Sequence, residues 1–276
     1  MKNKIFITIF FLLAVITNVL AEVYTVETGP FEKLKVNGNF SLVYKNLPDS
    51  TGYARFVADA GNEDLFVFTT KEDGSLKVEP SDEKWDQTDL PVVYVYSDFL
   101  SSVESYSDQS VEILNIAPCT NLKLNLIGNG SMSVDNIKST NVSAAITTGN
   151  GSIYLSGVCV NANYRMVGAG LISADQLQAT TVKCRILGTG SIGCWPIDNL
   201  NVTGLGSTKI YYKGKPNIKK RGGGKLFELP DSMDEDVYAR LGTPVSSFQP
   251  LDEEEEEEEE SDIEEEEYQT VVTEDD

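Results

Sequence analysis

The chain has 276 residues, four cysteines, no histidine and a formal net charge of −21. The charge is unevenly placed: residues 22–230 hold 22 acids against 19 bases, whereas residues 231–276 hold 21 acids against Arg240 alone. The lack of histidine and of any CxxC pair argues against a zinc site, and the acidity argues against nucleic acid as a partner.

The chain opens as a secretory signal does. Lys2 and Lys4 precede an apolar run from Ile5 to Ile16, and Val19-Leu20-Ala21 places small or apolar residues before a cleavage point between Ala21 and Glu22. The run is shorter than the ~20 residues a membrane-spanning helix needs, and no later stretch reaches that length. Residues 1–21 are therefore expected to be removed, leaving a mature chain without a transmembrane segment. Export permits disulfides. The spacing of Cys119, Cys159, Cys184 and Cys194 is not a compact framework, however. Cys184 and Cys194 either pair across one turn or serve with the others as small buried apolar residues.

Residues 22–105 read as an N-terminal β module. Phe31, Leu34, Val36, Phe40, Leu42 and Tyr44 alternate around Asn37-Gly38-Asn39. The runs Leu65–Phe68 and Leu76–Val78 bracket Asp73-Gly74 as a hairpin. Pro91–Tyr96 is a buried-strand run, and residues 80–90 form an exposed loop.

Residues 106–230 carry an internal repeat. Its marks are Gly128-Asn-Gly130, Gly149-Asn-Gly151, Gly168-Ala-Gly170, Gly188-Thr-Gly190 and Gly204-Leu-Gly206, separated by 21, 19, 20 and 16 residues. Ser107-Asp-Gln-Ser110 lies 21 residues before Gly128 as a degenerate copy. Two residues past each second glycine stand Met132, Ile153, Ile172, Ile192 and Thr208. Four past stand Val134, Leu155, Ala174, Cys194 and Ile210, and seven past stand Ile137, Val158, Leu177 and Ile197. Apolar residues at fixed offsets, alternating with polar ones, are half-buried strands. A unit of some twenty residues cannot bury its own face, so the copies must stack as coils of a parallel β-helix. Glycine suits the sharp bend between strands, by positive φ or by close backbone approach. Lys213, Lys215, Lys219, Lys220, Arg221 and Lys225, around Gly222–Gly224, mark the end of the ladder.

These motifs, in this order, resemble the head GIN domain family of auto-transporter adhesins, found in secreted or periplasmic proteins of Bacteroidetes-type bacteria. Phe31-Glu-Lys-Leu34-Lys-Val36-Asn-Gly38 resembles its opening, and Gly61–Leu65 with Gly74–Val78 resembles its middle. The Gly-x-Gly-Ser ladder resembles its second half. The likeness spans about 27–229 and departs at Ser107–Ser110, where a Gly-x-Gly turn is missing. It implies an all-β fold, a right-handed parallel β-helix-like solenoid in two parts, with residues 22–230 together as one domain. It implies no catalytic residues.

Several patterns could carry chemistry. Gly188-Thr-Gly190-Ser-Ile-Gly193 matches the dinucleotide fingerprint in letters, but Cys194-Trp-Pro follows where a helix should start. The turns lack the aspartates of calcium-binding β-rolls, so no cofactor and no ladder metal is expected. Asp135 and Asp175 share an offset, two turns apart or ~9.6 Å at strand spacing. That separation suits an inverting carbohydrate-active enzyme, or else both aspartates merely cap turns. Arg165 and Arg185 share another offset and either line an anion-binding groove or solubilise the outer face. Tyr94, Tyr96, Tyr106, Tyr211 and Tyr212 are candidates for stacking on glycans, or are packed.

Residues 231–276, with Glu253–Glu260 and Glu264–Glu267, read as a disordered acidic tail. It could gather Ca²⁺ diffusely, fold back on the basic 213–225 stretch, or simply solubilise. The expectation is a non-enzymatic secreted or cell-envelope module, periplasmic or surface-exposed, that presents its ladder to a glycan or an envelope protein. The alternatives are an enzyme using Asp135 and Asp175, and a structural spacer without a ligand.

Overall fold

A computed structural model describes residues 21–84 and 89–230. The signal-like segment 1–20, residues 85–88 of the expected loop, and the acidic stretch 231–276 with its diffuse-Ca²⁺ reading lie outside the described residues. The described chain is an all-β solenoid of about six turns. The N-terminal part supplies β1 (Ala21–Glu27), β2 (Lys33–Val36), β3 (Leu42–Lys45), β4 (Tyr53–Asp59), β5 (Phe66–Thr70), β6 (Ser75–Pro80), β7 (Val93–Tyr96), β8 (Ser102–Ser105) and β9 (Ser110–Leu114). The ladder supplies β10 (Cys119–Ile127), β11 (Ser131–Thr148), β12 (Ser152–Gly168), β13 (Leu171–Gly188), β14 (Ser191–Leu205), β15 (Lys209–Tyr212), β16 (Asn217–Gly222) and β17 (Lys225–Glu228).

Parallel pairing builds two walls. The first wall stacks β6, β2, β8, β10 and then the second halves of β11 to β14, ending on β16. The second wall stacks β7, β3, β9, the first halves of β11 to β14, β15 and β17. A short third segment, around 137–139, 157–159 and 177–179, closes each coil between them. The basic stretch after Tyr212 lies at the end of the ladder, as its last coil. In that coil β16 lies under β14 and β17 under β15.

Chain order and spatial order part company in the first module. β2 lies between β6 and β8, so Leu34 pairs with both Leu76 and Val103. The β5–β6 hairpin turns at Gly74, where φ is +74°, and leads the chain to the outer side of the first coil. β1, β4 and β5 pair antiparallel and finish that end, covering edges that parallel coils would leave open.

The interior is one continuous apolar cluster. In the second wall Val111, Met132, Ile153, Ile172, Ile192 and Ile210 stack on one another, all 0% exposed. Such burial stabilises by ~1.5–3 kcal/mol per side chain. In the first wall the large Tyr164 fits because Ala144 and Cys184 lie on either side of it. Burial raises the Tyr164 phenol well above the usual tyrosine range, with nearby Cys194, Cys159, Cys184 and Asp175 adding to the rise. All four cysteines are free thiols, and Cys159, Cys184 and Cys194 are buried, as the small-apolar reading requires.

The two glycines of each repeat do different work. Gly149 turns the chain at φ +86°. Gly170 has no such φ, but a Cβ on it would stand 2.4 Å from the carbonyl oxygen of Gly151 in the coil before. The fifth tripeptide is out of register. Gly204 pairs with Ile186 and Gly206 comes under Gly188, so Ile210 rather than Thr208 stacks on Ile192. The seventh-residue column is likewise corrected: Ile137 and Leu177 are buried, but Val158 is 49% and Ile197 45% exposed. Corner lengths differ between coils, so a fixed offset slips there. At one corner Asn115 and Asn136 take left-handed conformations, and in the following coil Gly157, also at positive φ, lies against Ile137.

Candidate functional site

Strand alternation places every second residue of the first wall on the outside. From β10 to β16 these residues fall into three registered columns. One runs Asn121, Asn141, Asn161, Thr181, Asn199, Asn217. The next runs Lys123, Ser143, Asn163, Lys183, Asn201, Lys219. The third runs Asn125, Ala145, Arg165, Arg185, Thr203, Arg221. The six cations in these columns are all exposed, and no acid stands among them. The acids of this wall lie on earlier strands and are already paired: Glu79 with Lys77, and Glu104 with Lys35 at 3.0 Å. Burial alone would raise the Glu104 carboxyl, but hydrogen bonds from Tyr106, Lys35 and Asn125 hold it below the ordinary glutamate range. Asp198 stands at the corner before β14 reaches the wall.

The amides of the first column are tied into a line. Asn141 Nδ2 donates to Asn121 Oδ1 and Asn161 Nδ2 donates to Asn141 Oδ1, both at 3.0 Å. Each bond spans one coil, which fixes the side chains and orients the wall. Beside this line is a shallow depression of about 260 Å³, lined by Asn141, Ser143, Asn161, Asn163, Thr181 and Lys183. Arg165 and Arg185 are direct register neighbours, which the shared offset in the sequence anticipates. Lys123, Lys183, Lys219 and Arg221 are missing from the sequence-based candidates. The signal for them was present in the alternation, and for Lys219 and Arg221 reading it also required the register of the shortened coil.

The two aspartates do not come together at one surface. Asp135 is exposed at a corner and accepts a hydrogen bond from Ser156 Oγ at 2.9 Å. Asp175 is 1% exposed, because it is the extra residue of a bulge between the Tyr154–Ser173 and Ser156–Gln176 pairs and turns inward. Its Oδ1 accepts from Ser173 Oγ at 2.8 Å, and its Oδ2 lies 3.7 Å from the buried Lys213 ammonium, which sits over the Trp195 ring. A Cβ on Gly193 would meet this carboxylate at 3.3 Å, so the third glycine of the dinucleotide-like run makes room for Asp175. A carboxylate pair flanking a scissile bond needs both groups at one solvent-open site. Asp135 and Asp175 do not supply one.

The tyrosines divide. Tyr94 and Tyr96 are buried at 6% and 5% exposure. Tyr106 is partly open beneath the Lys35 ammonium. Tyr212 packs against the core, and burial raises its phenol, with Glu228 adding to the rise. Tyr211 lies on the outside of the second wall, stacked on Phe227 with ring centroids 5.3 Å apart. Ala21 is the first residue of β1, paired with Asp59, and Glu22 follows it. Among the described residues no group of three His, Cys, Asp or Glu could hold a metal ion.

A stack of parallel coils with two long walls is a fold of the β-solenoid class. The chain belongs to the family described as "Putative auto-transporter adhesin, head GIN domain", whose model matches residues 30–216. Three solved structures share the fold. A putative adhesin from Bacteroides fragilis is 20% identical with a TM-score of 0.68, covering 76% of this chain and 97% of that one. A putative adhesin from Parabacteroides merdae is 22% identical with a TM-score of 0.64, covering 77% and 98%. A putative lipid binding protein from Parabacteroides distasonis is 20% identical with a TM-score of 0.58, covering 77% and 98%. No curated protein sequence matches. The family and these structures carry adhesin or lipid-binding names and no enzyme name. No described helix is long and apolar enough to cross a membrane.

Proposed function

We propose that the protein is a non-enzymatic binding module of the cell envelope or exterior, exported by its first 21 residues, that engages a glycan or an envelope protein. The adhesin family supports an extracellular or envelope location. The observation that carries the reading is the first wall: registered amide, hydroxyl and cationic columns held rigid by the coils beneath. Rigid presentation lowers the ordering cost of binding. A ligand that meets many weak contacts at once gains by their joint engagement. A spacer without a ligand would need only a soluble outside.

The test is a glycan array together with pull-down from the envelope of the source cell, both with the full chain. Specific retention of a glycan or an envelope protein supports the reading. No retention in either leaves the spacer and overturns it.

A further inference from the structure

The cationic columns say more about the ligand than the fold does. Arg165 and Arg185 face each other on adjacent strands, ~4.8 Å apart at the backbone. Lys183 is two residues before Arg185 on the same strand, and Lys219 and Arg221 repeat that pair two coils further on. None of the six wall cations has a carboxylate within ion-pair distance among the described residues. Like charges directly opposite one another on neighbouring strands destabilise a sheet, and among the described residues no carboxylate pairs with these cations to offset that cost. An anionic ligand would.

Resting on the binding-module reading above, we propose that the outside of the first wall, from β10 to β16, binds a linear anionic polysaccharide carrying carboxylate or sulfate groups. The cations supply the charge complement, at repeats of one and two coil spacings. The asparagine line and the depression beside Lys183 supply donors and acceptors together, which matches sugar hydroxyls. Leu187 and Leu205, 46% and 72% exposed on the adjacent column, offer apolar flanks for ring faces. The outer face of the wall carries no aromatic side chain from β10 to β16, since Tyr164 points inward, so it lacks the stacking platform of single-stranded nucleic acid sites.

The experiment immobilises the full-length protein and measures binding of dextran sulfate, polygalacturonate, neutral dextran, a 30-bp DNA duplex (about ten base pairs per helical turn) and phosphatidylglycerol vesicles. Both anionic polysaccharides should bind and neutral dextran should not, with affinity falling steeply as salt rises. The triple variant R165Q/K183Q/R185Q should weaken polysaccharide binding by about ten- to a hundredfold. The variant K138Q/K209Q/K225Q removes the same charge elsewhere and should bind as the parent does. Equal losses in the two variants would show that overall charge, not this wall, is responsible, and would overturn the proposal. So would DNA or vesicles binding as tightly as polysaccharide, or no polysaccharide binding at all. Retention of a neutral glycan or an envelope protein by both triple variants would end this proposal and leave the binding-module reading standing.

Discussion

The spacing of the coils rests on the second glycine of each repeat, and Gly170→Ala tests that directly. Its backbone has no left-handed φ, so the whole cost is steric. The new Cβ would lie 2.4 Å from Gly151 O and 2.9 Å from Ile146 Cδ1, where real Cβ atoms stay beyond 3.0 Å. The two coils must part by at least about 0.6 Å. The Leu171 N to Gly151 O hydrogen bond, 3.0 Å now, would stretch past the range in which such bonds hold. Losing one or two bonds at ~1 kcal/mol each, with ~1–3 kcal/mol of overpacking, gives a destabilisation of about 3 kcal/mol. For a domain of this size that is a fall in Tm of about 6–12 °C. Gly61→Ala is the control: nothing lies within 4 Å, and only its φ of +86° is strained, at ~1 kcal/mol. Thermal and urea unfolding of both variants, followed by circular dichroism, decide the matter. If Gly170→Ala unfolds no earlier than Gly61→Ala, close coil approach does not set the glycine requirement.

Three further outcomes follow from the interior. Tyr164→Phe removes a buried hydroxyl that has no hydrogen-bond partner, so urea unfolding should show no loss and a gain of about 1 kcal/mol. Lys213→Met strands the buried Asp175 carboxylate and should cost about 3 kcal/mol in the same assay. Titration with Ellman's reagent at pH 8 should find Cys119 alone in the native protein and all four thiols in denaturant: Cys159, Cys184 and Cys194 are buried, burial pushes the Cys159 thiol up to about 11, and a hydrogen bond with Cys184, then burial, raises Cys194.

The ladder was legible because its repeat acts on the backbone. Gly128, Gly149, Gly168 and Gly188 recur wherever one coil must turn against the last, and the inward isoleucines follow at a set distance. The step from Gly188 was misread because the coil there shortens by two residues in its third segment. Trp195 and Pro196 pair with Gln178 and Ala179, with three residues skipped before them and one added after. Such changes are local to corners and leave no periodic trace. Asp175 was misplaced for the same reason, since a bulge turns an outward position inward. The placement of β2 between β6 and β8 was not legible either. It depends on contacts 42 and 69 residues apart, which period-two alternation does not encode.

The wall itself yields one more prediction, because binding and stability pull against each other there. In a bare scaffold, Arg185 opposite Arg165 is a fault: two guanidinium groups on neighbouring strands with no acid among the described residues to separate them. Arg185→Glu would replace this repulsion with an opposite-charge pair, flanked by Lys183 on its own strand. Cross-strand charge pairs of this kind differ by ~0.2–1 kcal/mol, so the variant should be more stable by about 0.5–1 kcal/mol at low salt, and the gain should fade as salt screens it. The same change should weaken dextran sulfate binding by more than removing the charge alone would, since it adds repulsion to a lost contact. A stabilised variant with weakened binding is the signature of a surface kept for its ligand at the expense of its fold. If Arg185→Glu is no more stable than the parent at low salt, the arginine column carries no cost, and its like-charge pairing ceases to be evidence for an anionic ligand.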